Sequence, residues 1–274
     1  MIGAIIGDII GSQFEWSKPK VKDFDAFGIY TQATDDTVCT LAVANALVDS
    51  YPYDLSEDGQ KEIQENVKNN LIEFAKENPN RGYGGMFQDW VYSSNHDPYN
   101  SYGNGSAMRV SFVGWIAKTE DEVKILSKLS ASPTHNHEEG IKGAEAIAMC
   151  IYLARTGKSK SYIKEYVTKN YYPRLKNLDY EELIKNYVFD VTCQGSVPEA
   201  IYSFLISNSF EDAIRTGISL GGDTDTIGAM TGSIAEAYYK EVPSYMKDTC
   251  LDYLPNNLRK VLEKVEKFLS LKGN

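Results

Sequence analysis

Thr34-Asp35-Asp36 stands directly before an apolar-periodic stretch that predicts a helix over residues 37–49, and nearly the same arrangement recurs at Gly221-Gly222-Asp223-Thr224-Asp225-Thr226, before a helix over 227–239. Two readings compete. A helix start favours a hydroxyl or carboxylate cap, with acidic residues in the first turn to complement the dipole. One cap oxygen satisfies a helix, however. Here four carboxylates and several hydroxyls sit on tight turns, one of them built from glycine so that the backbone can come close to a ligand. Hard oxygen donors of this kind suit Mg²⁺, Mn²⁺ or Ca²⁺. If the turns meet, their carboxylates repel one another unless cations lie between them, and a bridged pair of metals becomes the natural arrangement. Spacing in the sequence does not by itself bring them together.

Other residues join this set. Glu15 ends the first stretch, between Phe14 and Trp16, where partial burial would fit it as a ligand, a general base, or both in turn. Asp8 interrupts an apolar run in which an unpaired charge would be costly, so it is expected to bridge helices or support the site from behind. Gly103-Asn104-Gly105-Ser106 forms a turn whose N–H groups could face phosphates, with a hairpin turn as the equal alternative. His137-Glu138-Glu139 matches the H-x-E of zinc deaminases only formally, because the partner P-C-x-x-C is missing. His135 is left as a residue that could point into a site. No nucleophile elbow, P-loop or Rossmann fingerprint is present, which leaves a metal-assisted hydrolase.

The elements that must position these residues are helices. Gly3, Gly7 and Gly11, four apart in residues 1–14, give a predicted first helix one bare face suited to unusually close packing. Further helices are expected over 57–77, 120–130, 138–156, 160–169, 180–187, 197–207, 211–219 and 257–271. Strand-like alternation is nearly absent. The expected fold is all-α, a compact orthogonal bundle of about ten helices in a single domain over residues 1–274. Between Asn78 and Met108 the helical pattern stops in favour of Gly, Tyr, Asn and Ser, and the aromatics of this segment argue against disorder.

Composition narrows the partners. With 28 Lys and Arg against 38 Asp and Glu, the net charge is −10, which excludes a broad cationic surface for duplex nucleic acid and leaves room for a local basic pocket. Cys39, Cys150, Cys193 and Cys250 lie far apart and read as core thiols in a reducing, cytoplasmic compartment. No membrane segment is expected, and a monomer is expected.

Together, Gly3-Ala4-Ile5-Ile6-Gly7-Asp8 with Glu15, Thr34-Asp35-Asp36-Thr37, Gly103-Asn104-Gly105 and Gly221-Gly222-Asp223-Thr224-Asp225-Thr226 resemble the ADP-ribosylglycohydrolase family, over residues 1 to about 240. The resemblance implies an all-α fold with a binuclear Mg²⁺ or Mn²⁺ site. It implies Glu15, Thr34, Asp35, Asp36, Asp223, Asp225 and Thr226 as metal ligands, with Glu15, Asp35 and Asp36 carrying catalysis. Ser101 to Arg109 resemble the family segment that holds the adenosine and diphosphate: Tyr102 would stack on adenine, Ser101 and Gly103 to Gly105 would contact phosphate with Ser106 beside them, and His135 would lie near the same ligand. The implied reaction is hydrolysis at C1 of the distal ribose of an ADP-ribosylated protein or small ADP-ribose conjugate, linked through serine or arginine. The metals would hold ribose hydroxyls and a water, while carboxylates move protons at an oxocarbenium-like transition state. Two alternatives remain open at this stage: a module that binds ADP-ribose or a nucleotide without turnover, and a binuclear phosphohydrolase cutting the diphosphate bond.

Overall fold

The bare face of the first helix meets another backbone. In the computed structural model, which describes residues 1–15 and 19–273, α1 (Ile2–Ser12) is buried from Ile2 to Gly11, with Ile5, Ile6, Ile9 and Ile10 in the core and the glycines against a later helix. A Cβ added to Gly7 would lie 1.9 Å from the Gly228 carbonyl oxygen, one on Gly3 would lie 2.3 Å from that of Gly232, and one on Gly11 would lie 2.3 Å from that of Thr224. The reverse holds too, since Cβ atoms on Gly228 and Gly232 would strike the carbonyls of Gly7 and Gly3 at 2.4 and 2.2 Å. Each helix-interior glycine costs about 1 kcal/mol against alanine, and the close approach offsets it with dense backbone contact.

Among the described residues the chain forms fifteen α-helices and no strand. The first half continues with α2 (Asp35–Asp49), α3 (Glu57–Glu77), α4 (Gly85–Tyr92), α5 (Gly105–Met108), α6 (Ser111–Ile116), α7 (Glu120–Ala131) and α8 (Glu138–Arg155). The second comprises α9 (Lys160–Asn170), a 3-10 turn at Pro173–Asn177, α10 (Tyr180–Asn186), α11 (Cys193–Ile206), α12 (Phe210–Ser219), α13 (Thr224–Tyr239), α14 (Ser244–Tyr253) and α15 (Asn256–Leu271). Helix α13 packs on α1, α12, α11 and α8, and α2 packs on α1, α3 and α15. Helix α1 therefore holds the N-terminal ends of α2 and α13 in one region. All four cysteines are free and buried, and no helix of the described residues is long and apolar enough to cross a membrane.

The all-α expectation holds, with more and shorter helices than the roughly ten expected. Helix α4 lies inside the segment that showed no helical pattern: Phe87, Trp90 and Val91 are buried at helical spacing, but the helix is only 8 residues long and starts on glycine. Helices α5 and α6, of 4 and 6 residues, are too short to show a period, and α14 buries only Met246 and Cys250. Helix α11 begins at Cys193, four residues before the expected start at 197. Pro198 sits inside it, and the Gln194 carbonyl that Pro198 cannot satisfy accepts from Arg174 Nη2 at 2.8 Å.

The α1–α13 contact predicts that Gly7→Ala destabilises the protein by about 3 kcal/mol, because rigid backbone rather than a flexible side chain occupies the added methyl's place. Gly84→Ala, where nothing lies within 4 Å, should change stability little. Equilibrium denaturation of both variants checks this, and equal stabilities would show that the helices can separate at no cost.

Candidate active site

The start of α2 is fastened to α1 through Asp8. Its Oδ1 accepts from Thr34 Oγ1 at 2.6 Å, and its Oδ2 accepts from the Thr34 and Thr37 backbone N–H groups at 3.0 and 3.1 Å and from the Thr37 hydroxyl. Asp8 thus bridges two helices. The start of α13 is built differently: Gly221 and Gly222 take left-handed φ of 72° and 78°, and Asp223 follows as a helix cap whose side chain makes no cap bond. Asp223 Oδ2 instead accepts from Asn104 Nδ2 at 2.7 Å. A Thr226 Oγ1 bond to Asp36 Oδ2 at 3.1 Å joins the two turns directly.

Ligand-capable oxygens of Asp8, Asp36 and Asp225 lie within 4.8 Å of one another, and so do those of Glu15, Asp223 and Asp225. Asp225 belongs to both groups. Asp36 Oδ1 is buried without a hydrogen-bond partner, and among the described residues no Lys or Arg forms an ion pair with Asp8, Asp35, Asp36, Asp223 or Asp225. Burial, then the charge of Asp225, pushes the carboxyls of Asp35, Asp36 and Asp223 well above the usual range. The same two causes raise Asp8 to about 7, and burial raises Asp225. Packed, buried carboxylates of this kind need protons or cations, and an all-oxygen donor set with an orphaned carboxylate oxygen fits hard divalent ions.

All of these carboxylates except the buried Asp8 open onto a cleft of about 340 Å³, within the range of small-molecule sites. Of the residues singled out in the sequence, Glu15, Thr34, Asp35, Asp36, Ser101, Gly103, Asn104, Gly105, His135, Asp223, Asp225 and Thr226 line it. Asp35 stands apart from both carboxylate groups: its backbone N–H donates to the Arg81 carbonyl at 2.8 Å, and its side chain faces Gly82. Tyr102 and Ser106 are not on the wall. Tyr102 is 48% exposed and edge-on to the His137 ring at 5.3 Å, while Ser106 is fully buried and donates to the Gly140 carbonyl at 2.7 Å. Trp16, expected to flank Glu15, lies outside the described residues.

Two amides of the glycine turn, expected to face phosphate, are already engaged. The Gly103 N–H donates to Ser101 Oγ at 3.1 Å and the Asn104 N–H to the Val191 carbonyl at 2.7 Å, beside an isolated bridge between Gly103 and Thr192. The cleft also has walls that the sequence reading did not single out: Gln32, Arg81, Met86, Phe87, Phe189 and Val191. The glycine run around Arg81 was a usable signal for part of this wall. Phe189 and Val191 carried none.

Comparison with known proteins agrees with this geometry. ADP-ribosylhydrolase ARH3 of Homo sapiens is 28% identical, covering 96% of this chain and 93% of that protein. ADP-ribosylarginine hydrolase Tri1 of Pseudomonas putida is 23% identical, covering 87% of this chain and 69% of that protein. A solved structure described as an ADP-ribosylglycohydrolase-related protein complex shares the fold, with a TM-score of 0.70 at 22% identity over 98% of this chain and 94% of that one. The family model described as ADP-ribosylglycohydrolase matches residues 1–272, and with the acidic turns and glycine turn gathered on one cleft, the chain belongs to the ADP-ribosylglycohydrolase family.

Proposed function

We propose that this enzyme hydrolyses the glycosidic bond between ADP-ribose and a modified side chain, serine or arginine, releasing ADP-ribose, and that it works with two Mg²⁺ or Mn²⁺ ions. The observation that carries the reading is the pair of carboxylate groups sharing Asp225 in a cleft that also holds Ser101, the Gly103–Gly105 turn and His135. The ARH3 and Tri1 names support the substrate class, and the difference between them leaves serine and arginine linkages both to be tried.

Asp36, Asp223, Asp225 and Glu15 would hold the ions, with the Thr34 and Thr226 oxygens beside them. When bound, divalent ions supply Lewis acidity at the ribose and neutralise the carboxylates. Glu15 is the half-buried member of its carboxylate group, and we assign it the proton from the attacking water. Asp35, on the same cleft wall and with its carboxyl raised by burial and the charge of Asp225, would join Asp36, Asp223, Asp225 and Glu15 as a ligand through its side chain. Asn104 holds Asp223 in orientation through its 2.7 Å bond, and so ties the ligand-binding turn to the acidic end. Asp8, whose oxygens already take four donated bonds, serves as a brace.

Incubation with serine-linked and arginine-linked ADP-ribosyl peptides, in Mg²⁺, Mn²⁺ or EDTA, should release ADP-ribose from at least one peptide in a metal-dependent way, read by mass. Release of AMP instead would make the protein a diphosphate hydrolase. Glu15→Gln should keep most bound metal yet lose roughly 10²-fold in single-turnover rate at saturating Mg²⁺, since the amide keeps the shape and loses the basicity. A near-normal rate would move the base to an aspartate.

The raised carboxyls also fix the sign of a stability change. A carboxyl that ionises later in the folded state than in the unfolded chain binds extra protons when folded, so stability falls as pH rises from the unfolded range near 4 through the folded value. With Asp8 at about 7 and Asp36 and Asp223 also raised, the metal-free protein should lose Tm between pH 5 and 8. Mg²⁺ should restore more at pH 8 than at pH 5, where protons compete. Asp225→Asn removes the charge common to these shifts, so it should flatten the metal-free profile and abolish most Mg²⁺ stabilisation. Calorimetric scans after EDTA treatment and dialysis test all three expectations, and a Tm that rises with pH in the metal-free protein would contradict them.

A further inference from the structure

Arg109, between α5 and α6, is among the largest fully buried side chains and forms an ion pair with no carboxylate among the described residues. Its Nη2 donates to the Ser130 and Ala131 carbonyls at 2.9 and 3.3 Å, at the C-terminal end of α7, where the Ala131 carbonyl also accepts from the Thr134 and His135 N–H groups. Nη2 has two protons: the carbonyls of that end share one, and the other goes 2.8 Å to Thr134 Oγ1. Thr134 Oγ1 in turn lies 2.7 Å from His135 Nδ1. A guanidinium only donates, so the hydroxyl accepts from Arg109 and has its single proton left to give.

We propose that Arg109 and Thr134 are positioning residues that fix His135 in the tautomer protonated on Nε2, so that it presents an N–H to an oxygen acceptor of the ligand at the Gly103–Gly105 turn. The proposal rests on the reading of that turn as part of the ADP-ribose site. Giving the Thr134 proton to His135 Nδ1 satisfies both buried groups. The opposite tautomer would make the hydroxyl accept twice and send its proton elsewhere, with the neighbouring Tyr99 phenol oxygen as the competing acceptor. Burial and then the charge of Arg109 hold His135 neutral, well below the ordinary imidazole range. Its Nε2 lies over the turn, 3.1 Å from where a Cβ of Gly105 would be and 3.5 Å from that of Gly103. The glycines leave this edge uncovered. Because the Gly103 and Asn104 amides are already spent on Ser101 and Val191, the imidazole supplies a donor that those two amides cannot.

The test uses the full-length, metal-loaded protein. Nitrogen chemical shifts of the labelled His135 imidazole, read without ligand, should report the Nε2–H tautomer in the wild type and in Thr134→Ser, and a mixture or the opposite tautomer in Thr134→Val. Calorimetric titration with ADP-ribose should show roughly tenfold weaker binding for Thr134→Val, near wild-type binding for Thr134→Ser, and unchanged metal content in both. Arg109→Lys, which keeps the charge without the fork, should shift the tautomer balance in the same sense as Thr134→Val. A wild-type Nδ1–H tautomer, or wild-type affinity in Thr134→Val, overturns the proposal while leaving the site reading intact. A wild-type protein that binds no ADP-ribose overturns the site reading as well.

Discussion

Helix α1 lies on α13 backbone to backbone, and that separation sets where both acidic turns sit. Along one face, Gly3, Gly7 and Gly11 meet Gly232, Gly228 and Thr224, with no side chain to hold the helices at the usual 8–10 Å. Along another, Asp8 projects to the start of α2 and accepts four hydrogen bonds from Thr34 and Thr37. A single helix therefore fixes α13 by the absence of side chains and α2 by one charged side chain. The Thr226 to Asp36 bond is the consequence, since the two helix starts that carry these residues arrive within hydrogen-bond reach. An added methyl at Gly7 acts at a distance, on the spacing of carboxylates it never touches.

Such spacing works against stability. Buried aspartates gathered around Asp225 raise one another's proton affinity, and no cation of the described chain pairs with them. A protein selected only to fold would replace some with apolar residues, because a buried charge without a partner costs several kcal/mol. Retaining them is intelligible if the compensating charge arrives from solution as divalent ions, whose binding free energy is then also folding free energy. The dense α1–α13 contact and the hydrogen bonds around Asp8 are what keep the helix ends together when those ions are absent.

Much of this was legible in the sequence, for a physical reason that differs from residue to residue. The glycine spacing of α1 and the two acidic helix starts are local patterns, and local patterns survive without knowledge of the fold. The finer split between Asp35 and Asp36 is not local. Adjacent residues at a helix start point about 100° apart, so one reaches Thr226 while the other faces Gly82, and only the register of α2 against α13 decides which. Tyr102 and Ser106 lie off the cleft wall for a similar reason. Their segment is pinned by the chain around Val191 to Cys193, through the Asn104 N–H to Val191 and the Cys193 N–H to the Tyr102 carbonyl, and pairing across that distance leaves no trace in either stretch alone. Helices as short as α5 have too few residues to show a period.

The cleft lining carries both signs of charge, which bears on how a chain with a net charge of −10 would hold an anionic ligand. The aspartates share its lining with Arg109, which is buried without a carboxylate partner among the described residues, and Thr134 and His135 lead from Arg109 toward the glycine turn. Screening by water is weak at such depth, so the guanidinium charge counts for more there than a surface lysine would. Asn104 joins the glycine turn to the acidic turn: its backbone belongs to the first and its side chain donates to Asp223 in the second. A diphosphate at the turn and a ribose at the carboxylates would then be registered against each other by one residue, so that a shift at the anion end is felt at the reacting carbon.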